Sequence, residues 1–301
     1  MQDLPTTLPA PSRSQALSRS RSIVLTTLAL LAFAGNSLLC RAALRDTDID
    51  AASFTAVRLI AGALVLWVVL RLQARDVPLS GSWRSALALF AYAAAFSFAY
   101  LSLPAGSGAL ILFGAVQISM IGWGMRHGER PRPLQVAGFL FALAGLIGLL
   151  APGLSAPPLR GALLMMAAGL AWGIYSLRGK SARDPLATTA GNFLRAVPMA
   201  IALAACLLPS LRWDIGGLGL AIASGALTSG LGYVIWYTAL PALRATTAAT
   251  VQLSVPMIAA LGGTALLGEP WTWRLALASL AVLGGIALVV TPRKPMPDAA
   301  R

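Results

Sequence analysis

The sequence predicts an all-α membrane protein, with ten transmembrane helices arranged as two inverted five-helix repeats and both termini cytoplasmic. Three observations carry that expectation: an apolar composition, ten apolar runs of membrane-spanning length, and a sequence pattern that recurs in the second half. Of 301 residues, 11% are charged and 57% hydrophobic, with a mean hydropathy of +0.76; a soluble domain carries about a quarter charged residues. A span needs roughly 20 mostly apolar residues to cross ~30 Å of hydrocarbon. Ten stretches reach it: 22–43, 52–72, 83–103, 105–125, 134–151, 160–179, 186–208, 216–240, 245–267 and 273–291. Backbone groups facing lipid must be satisfied within the segment, so these runs are helices.

The first run follows Arg13, Arg19 and Arg21, as in a signal peptide, but its Leu38-Leu39-Cys40 end lacks a small-x-small cleavage site. It reads as a retained span. Connections are short, and only the tails Met1 to Ser20 and Pro292 to Arg301 have the composition of disordered segments. The expected organisation is therefore an N-terminal tail 1–21, a first repeat 22–155, a second repeat 156–291 and a C-terminal tail 292–301. The net charge of +13 does not point to nucleic acid, because the basic residues punctuate apolar runs instead of forming one exposed stripe. Cys40 and Cys206 lie in apolar runs without metal or redox spacing, so two buried free thiols and no metal or cofactor are expected.

Cytoplasmic loops retain Lys and Arg. With the N-terminus inside, the inner segments hold 16 of the 23 basic residues, from Arg13 to Arg301, and the outer loops hold Arg41, Arg45, Arg160, Arg212 and Arg274. Arg58 and Arg195 remain inside spans. The chain also aligns with itself. Gly128 to Pro152 matches Gly268 to Pro292, pairing Gly128-Glu129 with Gly268-Glu269 and Gly145 with Gly285; Ala99 to Pro104 resembles Trp236 to Pro241, and Arg58 falls opposite Arg195 at the same offset of 137. Five spans per half make the second half enter from the opposite side. Such inverted repeats occur in secondary transporters, whose substrate site lies near the midplane between the halves.

These residues resemble the drug/metabolite transporter superfamily in its EamA-type branch of ten-span carriers. The pattern runs through Tyr237, Ala239-Leu240-Pro241, Ala248, Leu253, Pro256, Leu266-Leu267-Gly268-Glu269 and Gly284-Gly285, and more weakly through Tyr100, Pro104, Gly128-Glu129 and Gly145, with no proline in the fourth span to match Pro256. The resemblance implies a small-molecule carrier of the bacterial inner membrane and is closest to aromatic amino-acid exporters. A multidrug exporter and a sugar-phosphate antiporter are the alternatives it leaves, and a monomer is expected, with a dimer as the other option.

The expected substrate-binding set begins with the tyrosines, all five of which lie in the third, sixth and eighth spans. Tyr92, Phe96 and Tyr100 share a helical face, as do Tyr233 and Tyr237. Rings near span ends also suit interfacial belts, whereas Tyr92, Phe96, Trp172 and Tyr175 sit deeper; Trp236 completes the aromatic set. The intramembrane amides Asn36, Gln117, Asn192 and Gln252 either bind substrate or tie helices together, with Asn36, Gln117 and Gln252 included in the set. Arginine near mid-span costs roughly 2.5 to 3.5 kcal/mol. Arg58 lies within snorkelling reach of the outer end; Arg195 is deeper and is expected either to hold a substrate carboxylate or to bond helix carbonyls. No Asp or Glu lies inside any span, and His127, the only histidine, sits in a loop. Proton relays use intramembrane acids or histidines, so transport driven by the substrate gradient is expected. The same absence removes the base that an intramembrane hydrolase needs.

Overall fold

The computed structural model describes residues 19–73, 78–126, 132–151, 153, 156–179, 182, 184–239, 243 and 251–290. Residues 1–18 and 291–301, His127, the Gly128-Glu129 pair, Leu240-Pro241 and Ala248 lie outside the described residues, and residues 19–21 of the expected N-terminal tail begin the first helix. Among those described, the secondary structure is helical, without strands. The helices are α1 (Arg19–Asp46), α2 (Ala51–Leu72), α3 (Trp83–Tyr100), α4 (Ala105–Arg126), α5 (Pro133–Leu150), α6 (Leu159–Gly179) and α7 (Pro185–Cys206), then α8 (Ile215–Ala239), α9 (Ser254–Leu267) and α10 (Trp273–Val290).

Local sequence sets most of the ends. Asp50 caps α2 by accepting from the Ala52 and Ser53 amides, Asp184 caps α7 through Ala187, and Asp214 caps α8 through Gly217; each satisfies donors that the first helical turn leaves open. Pro133 and Pro185 occupy first-turn positions, where a missing N–H costs nothing. Helix α3 stops at Tyr100, three residues before the expected limit, in a turn ahead of Pro104, because the residue before a proline avoids helical backbone. Gly268 closes α9 with φ 64°, the left-handed conformation that suits glycine.

Seven helices, α1, α2 and α4 to α8, are long and apolar enough to cross a membrane on their own. That is fewer than the ten expected. The described part of α9 has 14 residues. In α3, Trp83-Arg84 and four Ser and Tyr side chains lower the hydropathy, yet Ser85, Tyr92, Ser97 and Tyr100 are buried against other helices.

The exterior is apolar: Leu64, Trp67, Leu87, Leu163, Leu170, Leu261 and Leu277 are exposed, as suits a surface that meets hydrocarbon. The interior is a mainly apolar core in which Asn36, Ser37, Thr55, Arg58, Ser97, Gln117, Asn192, Ser224, Thr228 and Ser229 are buried polar exceptions. The main helix pairs are α5 with α10, α3 with α6, α2 with α7 and α8, α4 with α6 and α9, and α1 with α8 and α9. Helix α8 changes from α to π winding over Ser224–Leu231. There Gly225 lies against the Arg58 backbone, where any Cβ would collide with it, so α2 and α8 touch main chain to main chain.

Candidate functional site

The π turn of α8 determines the polar side of the site. A wider turn re-aims successive side chains and recurs at functional positions. Here it presents Ser224 and Thr228 to α1: Asn36 Oδ1 accepts from Ser224 Oγ at 2.8 Å and Thr228 Oγ1 at 3.2 Å, and Asn36 Nδ2 donates to the Tyr92 hydroxyl at 3.2 Å. From α2, Arg58 Nη2 donates to the same hydroxyl at 3.3 Å and Nε donates to Ser229 Oγ at 3.2 Å. The guanidinium carbon lies 5.0 Å from the Phe96 ring centre and 5.3 Å from that of Tyr92, within cation–π range. Arg58 is 1% exposed, and its Nη1 has no hydrogen-bond partner among the described residues.

Aromatic rings form the rest. Trp172 packs at 4.8 Å on Tyr92, 5.0 Å on Tyr233 and 5.6 Å on Tyr175; Phe33 meets Tyr233 edge-on at 6.0 Å, and Tyr100 closes on Phe96 at 4.7 Å. They surround a chamber lined by Phe33, Asn36, Ser37, Tyr92, Phe96, Leu112, Phe113, Trp172, Thr228 and Tyr233, with ≈ 20 Å³ open to the centres of water-sized spheres. That holds a water or two. In this conformation the walls are closed to anything the size of an amino acid.

Five expected residues, Asn36, Tyr92, Phe96, Trp172 and Tyr233, line the chamber together. Tyr100, Tyr175 and Trp236 stand directly behind it, touching Phe96, Trp172 and Phe33. Tyr237 lies further along α8 beside Gly179, Gln117 is buried one turn beyond Phe113, and Gln252 is half-buried ahead of α9; none of the three lines the chamber. Arg195 is absent as well. Its Nη1 donates to the carbonyls of Ser80 at 2.9 Å and Gly191 at 2.8 Å, the second of the two roles its depth allowed. Asn192 likewise holds a chain segment, accepting from the Ser82 amide at 3.0 Å. Of the expected buried thiols, Cys40 is buried but Cys206, at the end of α7, is exposed.

The residues missing from the expected set are Phe33, Ser37, Leu112, Phe113 and Thr228 in the lining and Arg58, Ser224 and Ser229 beside it. A run of small and hydroxyl residues from Ser224 to Gly230 in mid-span was the available signal.

One helical turn beyond Ser37 and Phe96 lies an ion pair. Arg41 Nε pairs with Glu269 Oε1 at 3.0 Å, and its Nη1 donates to the Tyr100 carbonyl at 2.9 Å. Glu269 Oε2 accepts from the Ala105 amide at 2.7 Å, at the N-terminus of α4. A carboxylate there also meets the positive end of the helix dipole. One ion pair thus ties α1, α3, α4 and the α9–α10 connection together. A cleft of ≈ 330 Å³, on the same water-sized measure, lies beside it between α4, α9 and α10, with Glu269 in its wall.

Lipid-facing helices around a closed polar and aromatic chamber define a multi-pass integral membrane protein with an internal site. Residues 159–291 match the model of the EamA-like transporter family. An uncharacterized protein of Pseudomonas aeruginosa is 60% identical over 274 residues, 91% of this chain and 96% of that one. The chain belongs to the EamA-like transporter family, within the drug/metabolite transporter superfamily. An uncharacterized transporter of Archaeoglobus fulgidus is 24% identical over 89% of this chain and 97% of its own length. The threonine/homoserine exporter RhtA of Salmonella typhimurium is 33% identical over 160 residues, about half of each chain, at 50% and 53%. A protein of known crystal structure shares the fold, with a TM-score of 0.62 at 22% identity over 90% of this chain and 98% of that one.

Proposed function

We propose that this chain is an amino-acid exporter of the bacterial inner membrane that works by alternating access. The observation that carries the reading is the chamber, where amide, hydroxyl and aromatic groups from α1, α3, α6 and α8 converge on one closed space. Apolar and aromatic walls suit the side chain of an aromatic or apolar amino acid, and the polar groups beside them suit its backbone end. RhtA, a relative over half its length, is an exporter of threonine and homoserine, which supports amino acids as the cargo class.

The mechanism rests on two inverted five-helix repeats, residues 22–155 and 156–291, with both termini cytoplasmic. Helix packing supports this. Exchange α1–α5 for α6–α10 and the principal packed pairs map onto one another: α3–α6 onto α1–α8, α4–α6 onto α1–α9 and α2–α8 onto α3–α7, while α2–α7, α4–α9 and α5–α10 map onto themselves. By the basic-residue distribution, the Arg41–Glu269 pair closes the extracellular end. Rocking of the halves breaks that pair to release cargo outward. The cargo gradient drives the cycle, since none of the ten apolar runs contains an acid or histidine to relay protons, Asp46 and Glu269 lying just beyond their ends.

A cationic drug is a poor fit, because the fixed charge beside the chamber is the positive Arg58. A sugar phosphate asks for several clustered cations, and Arg195 is engaged elsewhere. The test is uptake of each proteinogenic amino acid into proteoliposomes, with and without unlabelled substrate inside. Trans-stimulated uptake of aromatic or apolar amino acids, unaffected by a proton gradient, is the expected result. Movement of drug-like cations with no amino acid carried contradicts it.

A further inference from the structure

We infer that Arg58 is the chamber's carboxylate anchor, so that cargo is selected for its anionic group and not for its ammonium group. The inference rests on the exporter reading and deepens it.

Three independent observations converge on this arginine. The first is charge. Arg58 is fully buried in mid-bundle, and the groups facing it are the Cys40 thiol and the Tyr92 and Tyr233 phenols, with no carboxylate among them. The ion pairs found among the described residues involve other arginines, Arg41 and Arg45. A cation held in a water-poor interior without a counterion is a standing cost that an arriving anion relieves.

The second is an excess of donors. Arg58 Nη1 is buried without an acceptor. The Tyr92 oxygen accepts from both Asn36 Nδ2 and Arg58 Nη2, so its own O–H remains available to donate. Asn36 Oδ1, the nearby amide acceptor, is already engaged by Ser224 Oγ, with Thr228 Oγ1 sharing its one proton between that oxygen and the Ser224 carbonyl. What the cluster lacks is an acceptor, and a carboxylate supplies two oxygens to a guanidinium edge and a phenol.

The third is position. Arg58 lies against Tyr92 and Phe96, whose side chains wall the chamber. Its flexible stem lets the guanidinium edge reach an anion at that wall once the chamber opens. An ammonium group at the same place meets donors and a like charge. It is instead left to the aromatic faces of Trp172 and Tyr233, which bind cations by their ring quadrupoles.

The test uses the whole protein in detergent and two probes that split phenylalanine: 3-phenylpropionate, which keeps the carboxylate, and 2-phenylethylamine, which keeps the ammonium. Thermal unfolding is followed as each is titrated, with sodium chloride as the anion control. The expected result is stabilisation by 3-phenylpropionate at concentrations where 2-phenylethylamine and chloride have no effect. Arg58→Met is expected to weaken that binding by at least about tenfold, the loss of a charge-assisted hydrogen bond, and Arg58→Lys to restore part of it. Equal stabilisation by the amine or by chloride overturns the assignment, as does unchanged binding by Arg58→Met. If Arg58→Met does not fold, the comparison of probes on the native protein decides alone. Carboxylate binding that depends on Arg58, in a protein that carries no amino acid in liposomes, supports the anchor and refutes the exporter reading.

Discussion

Arg58 in α2 and Arg195 in α7 lie 137 residues apart, the offset of one matching pair of sequence blocks, yet their surroundings differ in kind. Arg195 is half-buried and spends its donors on two main-chain carbonyls, one in its own helix and one in the chain ahead of α3. Arg58 is buried, stacked on two rings, hydrogen-bonded to two hydroxyls, and left with a nitrogen unpaired. A third arginine completes the series, since Arg41 has a carboxylate of its own in Glu269. The partner each arginine finds thus decides whether it holds backbone, pairs with a carboxylate or is left with an unmet donor.

The strongest way to break this comparison is to remove each charge in turn. Arg58→Met should lower amino-acid counterflow by roughly 10- to 100-fold, the range expected for losing a charged hydrogen bond. Arg195→Met should leave transport within about twofold of the native rate and cost roughly 1.5 kcal/mol of stability, the low end for hydrogen bonds to a charged group, because the side chain is half-exposed. Equal losses of transport would erase the distinction. Next in size is the Arg41 pair. Glu269→Gln leaves a largely buried guanidinium without its counterion, a change that costs about 3 kcal/mol in comparable sites, and thermal unfolding should report a clear loss of stability. An unchanged midpoint would mean that the pair does not hold this end closed.

Tyr92→Phe probes how Arg58 is held. The ring and its packing stay, but the hydroxyl shared by Asn36 and Arg58 goes, so substrate affinity in counterflow should fall about tenfold, equivalent to roughly 1.4 kcal/mol. The smallest effect is at Asp50. Burial alone would raise this carboxyl, but the amides of Ala52, Ser53 and Arg212 hold it below the ordinary carboxylate value. A depressed folded-state pKa contributes stability above the unfolded value of about 3.9, and that stability is lost as pH falls through the lower folded value. Asp50→Asn should therefore flatten the acid limb of the stability profile and leave neutral-pH transport unchanged.

The helices were legible because hydrocarbon imposes length and apolarity residue by residue. The aromatic half of the chamber was legible for a related reason: spacing by four puts Tyr92 and Phe96 on one face at mid-span depth. The choice between arginines was not. Depth, counted in residues from a span end, favoured Arg195, but whether a side chain can find acceptors depends on what packs against it. For Arg195 that is the Ser80 carbonyl, 115 residues away in the chain; for Arg58 it is the π turn of α8. That turn shifts register without a proline to announce it, and it turned Ser224, Thr228 and Ser229 from unremarked small residues into the ligands of Asn36 and Arg58. The ion pair joining Arg41 to Glu269 spans 228 positions and was hidden for the same reason.

Counterflow in proteoliposomes, with unlabelled phenylalanine inside and labelled phenylalanine outside, asks whether this chamber carries amino acids from one side of the membrane to the other. A carrier with this chamber should show transient label accumulation that depends on internal substrate and is lost in Arg58→Met but retained in Arg195→Met. Label entry that ignores internal substrate, or that survives Arg58→Met intact, would contradict the account.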